Sequence, residues 1–146
     1  MRLVARMLLV IVIATPSIYV LSACTITVIG DGTPRSRLHH AKNVFVGEAL
    51  EITDSTQDDV ERGASPYAIR FRVEQYWKGV KTSELTVHSD LTGCGPFFQV
   101  GHKYLVYALG KTLEASPLGA KEVEKAGDDL QVLGQGKKLK EHQGKP

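Results

Sequence analysis

The stretch Tyr67-Ala68-Ile69-Arg70-Phe71-Arg72-Val73-Glu74-Gln75-Tyr76-Trp77 decides the fold class. Strict alternation places Ile69, Phe71, Val73 and Trp77 on one face and Arg70, Arg72, Glu74 and Tyr76 on the other. A period of two over this length predicts a β-strand with one buried and one wet face. Lys78-Gly79 follows as a turn, and Glu84–Ser89 supplies another strand through Leu85 and Val87.

Upstream, Asn43–Ile52 is rich in Val, Phe and Ile and reads as a strand whose alternation slips near Gly47, as at a bulge. Pro34 suits the first turn of a short helix over Arg35–Lys42. The polar stretch Thr53–Pro66 reads as a surface loop. Downstream, Thr92-Gly93-Cys94-Gly95-Pro96 is a tight loop. His102–Leu109, apolar on both faces through Tyr104, Leu105, Val106 and Tyr107, suits a fully buried strand. Leu113–Ser116 offers a short fifth strand. Val123, Ala126, Leu130 and Leu133 recur at helical spacing, so Lys121–Leu133 is expected to form a helix packed on the sheet. Gln135–Pro146, rich in Lys and Gly, is expected to be a frayed tail. Short strands with long connections and a terminal helix predict a small closed or partly open β-barrel.

The N-terminus predicts export. Arg2 and Arg6 precede a nearly unbroken apolar run from Met7 to Val20, interrupted at Pro16 and Ser17. The run is short for a membrane span, which needs about 20 apolar residues. It ends in Leu21-Ser22-Ala23-Cys24, the pattern of a bacterial lipobox, in which lipid is added to the Cys and cleavage precedes it. Ordinary cleavage after Ser22, or an uncleaved anchor, are the alternatives. Residues 1–23 are therefore a signal segment, 24–134 the domain and 135–146 a basic tail.

Charge bears on partners. The chain carries 18 Lys and Arg against 16 Asp and Glu; without Arg2 and Arg6 the exported part is formally neutral. Affinity for phosphate backbones needs a gathered basic surplus, so no nucleic-acid partner is expected.

Several blocks resemble the bacterial proteins that share the fold of tissue inhibitors of metalloproteinases and netrin modules. They are Asn43-Val44-Phe45-Val46-Gly47 after a short helix, Phe71-x-Val73-x-x-x-Trp77-Lys78-Gly79, Cys94-Gly95-x-x-Phe98-x-x-Gly101-x-x-Tyr104-Leu105-Val106-Tyr107-Ala108, and Ala126-Gly127-Asp128-Asp129-Leu130-x-x-Leu133-Gly134. They occur in the family's order. The resemblance implies a five-stranded OB-like barrel with a short N-terminal and a C-terminal helix.

That family typically opens its mature chain with Cys-x-Cys, where this one has Cys24-Thr25-Ile26, and carries a late Cys at a position resembling Leu118. The resemblance implies a disulfide between Cys24 and Cys94. Closing a loop of about 70 residues contributes roughly 4 kcal/mol on chain-entropy grounds. In the eukaryotic inhibitors the free amine and carbonyl of the first Cys chelate a metalloprotease's zinc, and the next residue enters its specificity pocket. Cys24 and Thr25 occupy those positions. Lipidation of Cys24 excludes both the disulfide and the chelation, so one residue decides between the two functions.

Other chemistry is sparse. His88, Cys94 and His102 cluster in sequence without an orienting Asn, since Asn43 is the only one. Strand ends and a disulfide account for them better than a nucleophile does. His39-His40 reads as a solvated pair, and Glu122, Glu124, Asp128 and Asp129 as acids on a helix exterior. No phosphate-binding glycine pattern, cofactor motif or set of three metal ligands is present. Arg70, Arg72 and Tyr76 are a surface patch whose default is solvation. Lys137, Lys138, Lys140 and Lys145 offer weak attraction to anionic lipid or cell wall. The expected function is an exported, lipid-anchored cell-envelope interaction module with an unidentified protein partner. The alternative is a metalloprotease inhibitor acting through Cys24; an enzyme is not expected.

Overall fold

A computed structural model describes residues 29–56, 58, 65–89 and 97–139. The expected signal segment, Cys24, Thr25, Cys94 and the loop Thr92–Pro96 lie outside the described residues.

Ile29 is buried, and the chain then turns through Gly30 to Gly32. Asp31 Oδ1 accepts from the Thr33 N–H at 2.9 Å, and Thr33 Oγ1 accepts from the Ser36 N–H at 3.2 Å. With Pro34 in its first turn, this cap starts helix α1, Pro34–His40. The other end of α1 is satisfied from the sheet: Lys78 Nζ donates to the carbonyls of Leu38 (3.0 Å) and His39 (2.7 Å).

Five strands follow: β1 Asn43–Asp54, β2 Tyr67–Lys78, β3 Glu84–Ser89, β4 Lys103–Ala108 and β5 Ala120–Glu122. They form one antiparallel sheet in the order β3-β2-β1-β4-β5, so the fold is mainly β, as expected. The edge strands β3 and β5 do not pair with each other, so the sheet is open rather than a closed barrel. A one-residue link crosses part of the gap, because Glu114 bridges both Leu109 and His88.

Both faces of the sheet are buried, in two apolar clusters. The first gathers Phe45, Ile69, Phe71, Val87, Phe98, Tyr104 and Val106. The second, containing Val44, Val46, Leu105 and Tyr107, lies under Leu38 of α1 and Leu130 and Leu133 of helix α2, Gly127–Leu133. Successive residues of β4 thus serve opposite clusters, which is why that strand is apolar on both faces.

Four expectations need correction. Trp77 does not share a face with Phe71. Opposite β1, the register passes from Val73↔Gly47 to Gln75↔Val46, and from Tyr76↔Phe45 to Lys78↔Val44, so Glu74 and Trp77 are extra residues. Each insertion resets the alternation, so Tyr76 packs on the first cluster and Trp77 on the second. The slip expected near Gly47 is one of these shifts.

Secondly, Leu113–Ser116 is not a strand. Gly110 (φ +67°) and Leu113 (φ +55°) reverse the chain, leaving the single bridges at Glu114. Thirdly, the long helix is divided. Residues 120–122 are β5, Val123–Lys125 form a 3-10 turn, and only then does α2 begin. The fourth correction concerns residues 135–139 of the tail, residues 140–146 lying outside the described residues. Gly134 (φ +68°) ends α2, and the chain returns to β2, where Lys137 pairs with Tyr76 and Leu139 packs on the first cluster. Two smaller boundaries also move: β1 continues two residues past Ile52, and β2, which begins at Tyr67 as expected, runs one residue past Trp77.

The turn after β2 rests on Gly79, whose φ is +74° and where a Cβ would lie 2.2 Å from the Lys42 carbonyl oxygen. Gly79→Ala is expected to lower the unfolding free energy by about 1–3 kcal/mol, because both the left-handed backbone and the contact oppose a side chain. A urea midpoint measured at unchanged slope checks it.

Candidate functional site

Beneath the helices the structure assembles a polar cluster that neither composition nor periodicity predicts. Arg37 of α1 and Asp129 of α2 form an ion pair, Nη2 to Oδ2 at 2.9 Å, with side chains only 7% and 3% exposed. Lys121 of β5 holds the other carboxylate oxygen at 2.8 Å, and the Tyr107 hydroxyl of β4 donates to Oδ2 at 3.3 Å. Arg37 also donates from Nη1 to the Leu118 carbonyl at 3.2 Å and lies 4.9 Å from the centroid of the Tyr107 ring. Its Nε has no partner among the described residues.

Asp129 is therefore not a solvated acid on a helix exterior. The late start of α2, at Gly127, turns it inward towards α1. With both oxygens engaged by cations, the carboxylate acts as a brace between α1, β4, β5 and α2. Ile29 packs beside it, and Gly119 leaves room for its Cδ1, since a Cβ there would come within 3.2 Å. The brace thus supports the apolar site in which Ile29 is buried.

Burial in this cluster, with the Asp129 carboxylate second, pushes the Tyr107 hydroxyl well above the usual phenol range; the nearby Arg37 charge opposes the shift. A raised folded-state pKa means that the neutral form is favoured by folding. The associated stability is complete below the unfolded value of about 10 and declines as pH rises above it. Burial also raises Tyr104, less strongly. Stability is expected to fall above about pH 10, by at most about 1.4 kcal/mol per pH unit for each tyrosine. Tyr107→Phe should remove the larger share of that slope, as read by denaturant midpoints between pH 8 and 11.

Where β1, β2 and β3 extend beyond the second cluster, outward side chains carry another charged set, self-paired. Arg70 binds Glu51 (2.9 Å) and Glu84 (3.0 Å), Arg72 binds Glu48 (2.6 Å), and Lys103 binds Glu74 (2.8 Å). These partners raise the pKa of each cation, the hydrogen bond to its carboxylate being the first cause. Tyr76 lies on the other side of β2, so it does not join Arg70 and Arg72 in a patch. The carboxylates there outnumber the cations, and a phosphate would have to displace one of them.

The remaining sequence candidates are dispersed. His88 of β3 and His102, just before β4, have β2 and β1 between them in the sheet. His102 Nδ1 is 3.5 Å from Glu122, whose carboxyl is held low chiefly by the Lys125 ammonium at 2.5 Å. His40 Nδ1 is 2.8 Å from the Ser36 carbonyl, and its ring meets that of His39 edge-on. Among the described residues, no three His, Cys, Asp or Glu side chains converge as a metal site. Cys24, Thr25 and Cys94 lie outside the described residues, so no distance bears on their roles. No family model and no curated protein sequence matches this chain.

Proposed function

We propose that this chain is an exported interaction module, held at a membrane surface by lipid on Cys24, with a partly open OB-like barrel similar to that of the tissue inhibitors of metalloproteinases. The observation that carries the reading is the position of Ile29. It is buried against the braced helix face, five residues after Cys24. Five residues of chain reach at most about 17 Å. A lipid on Cys24 would therefore hold the domain against the headgroups, with the α1 side nearest the membrane. Antiparallel strands flanked by α1 and α2, with Glu114 linking the ends of β3 and β4, support the barrel-like reading. The partner is a protein rather than a phosphate polymer, given the carboxylate-paired cations of the sheet face.

Cells expressing the full chain and fed an alkyne-bearing fatty acid should yield a labelled protein, and Cys24→Ser should abolish the label. Unlabelled wild-type protein would remove the membrane anchor from the account. The same short tether favours one second reading. If the Cys24 amine is free, the resemblance gives Cys24 and Thr25 the positions that chelate a metalloprotease's zinc and enter its specificity pocket. Addition of one residue before Cys24 should then eliminate inhibition.

A further inference from the structure

β3 covers only part of the outer edge of β2. Its ladder spans Tyr67 to Arg72, whereas β2 continues to Lys78. Beyond Val73, whose N–H donates to the Ser83 carbonyl at 2.8 Å, the chain that follows α2 takes over. Gly134 turns it back, and its carbonyl accepts from Trp77 Nε1 at 3.0 Å. Lys137 then pairs with Tyr76 in both directions, at 2.8 and 2.7 Å, as an antiparallel bridge. Gly136 lies so close to Gln75 that a Cβ would come within 2.6 Å of its Cγ, and Leu139 packs on the first cluster. The returning segment thus offers, in order, a residue without a side chain, a backbone donor and acceptor, and an apolar anchor.

We propose that the outer edge of β2 around Tyr76 is a strand-addition site for an extended segment of a partner protein with the pattern small–x–x–apolar, and that residues 135–139 occupy it in the free domain. The occupant in cis defines what fits: main-chain bonds at Tyr76 supply attraction, and the contacts at Gln75 and the first cluster supply selection. A single bridge at a sheet edge, with Lys137 and Lys138 exposed, is the kind of contact that opens locally without global unfolding. The inference supplies a docking surface for the interaction module proposed above. It does not depend on the state of Cys24, so the two can fail separately.

Hydrogen exchange on the unaltered full chain tests the opening. The amides of Tyr76 and Lys137 should exchange together, roughly 100-fold or more faster than those of β1 and β4. Exchange at the rate of those strands would overturn the proposal. For the docking step, Trp77 is the only tryptophan and reports directly. In full-length Lys137→Pro, which lacks the N–H that reaches Tyr76, Trp77 emission should move to longer wavelength. An excess of the peptide Gly-Gln-Gly-Lys-Lys-Leu-Lys should restore it, and the same peptide with Gly136→Val should not. Emission unmoved by the peptide, or restored equally by both peptides, would contradict the proposal. So would a dimer that exchanges its own segments, since the edge would then serve a second copy.

Discussion

Asp129→Ala is expected to lower the unfolding free energy by about 3–5 kcal/mol, a large share of the stability of a small domain. The loss arises from what remains. Arg37 stays buried with its guanidinium facing an absent carboxylate, while Lys121, more exposed, can turn to water. The Leu118 carbonyl contact and the Tyr107 hydroxyl bond are disturbed with it. For a domain of about 100 residues, each kcal/mol moves the melting temperature by roughly 4–8 °C, so thermal unfolding followed by circular dichroism is sensitive enough. The double change Arg37→Met with Asp129→Leu should recover most of the loss, because well-packed apolar groups avoid the cost of desolvating two charges. Recovery would identify the pair as an electrostatic brace whose halves require each other; additive losses would show that each residue acts through separate packing.

Phe71→Ala should cost a similar amount, about 3–5 kcal/mol, by a different mechanism. Phe71 is fully buried at the centre of the first cluster, with ring centroids at 5.5 Å from Phe45, 5.2 Å from Phe98 and 6.4 Å from Tyr104, all edge-to-face. Truncation removes the transfer energy of the ring, leaves a cavity, and deletes several aromatic contacts worth about 0.5–1.5 kcal/mol each beyond burial. The cavity cannot readily close, because its walls come from β1, β2, β4 and the segment carrying Phe98. Phe71→Leu, which keeps much of the volume, should cost less. Equal losses in the two variants, measured by urea unfolding, would mean that aromatic geometry rather than volume dominates the site.

Much of this architecture was legible because burial on one face imposes a period on the chain. Ile69, Phe71 and Val73 obey it, and the double-sided burial of β4 follows from its unbroken apolar run. The rule failed at Trp77 because a bulge is a property of two paired strands. Nothing within Glu74–Trp77 reports how Val44 and Val46 sit opposite. Helical spacing of Val123, Ala126, Leu130 and Leu133 expressed a real constraint, since all four face the second cluster. Yet residues 120–122 answer first to the open edge of β4, whose Tyr104 to Val106 they pair with. Arg37 and Asp129 were opaque for another reason. Charged residues read as surface by default, and only the crossing of α1 and α2 brings these two together. Cys24 lies outside the described residues, so its proposed lipidation rests on the sequence Leu21-Ser22-Ala23-Cys24 alone.

Lipidation of Cys24 is read from the intact mass of the mature protein made in a bacterial host, with and without reduction. The account predicts a chain that begins at Cys24 and is heavier by acyl chains, with no change on reduction. An unmodified chain beginning at Cys24, lighter than its reduced form by a pair of hydrogens, would contradict it and transfer the case to a soluble, disulfide-closed domain with a free zinc-binding amine.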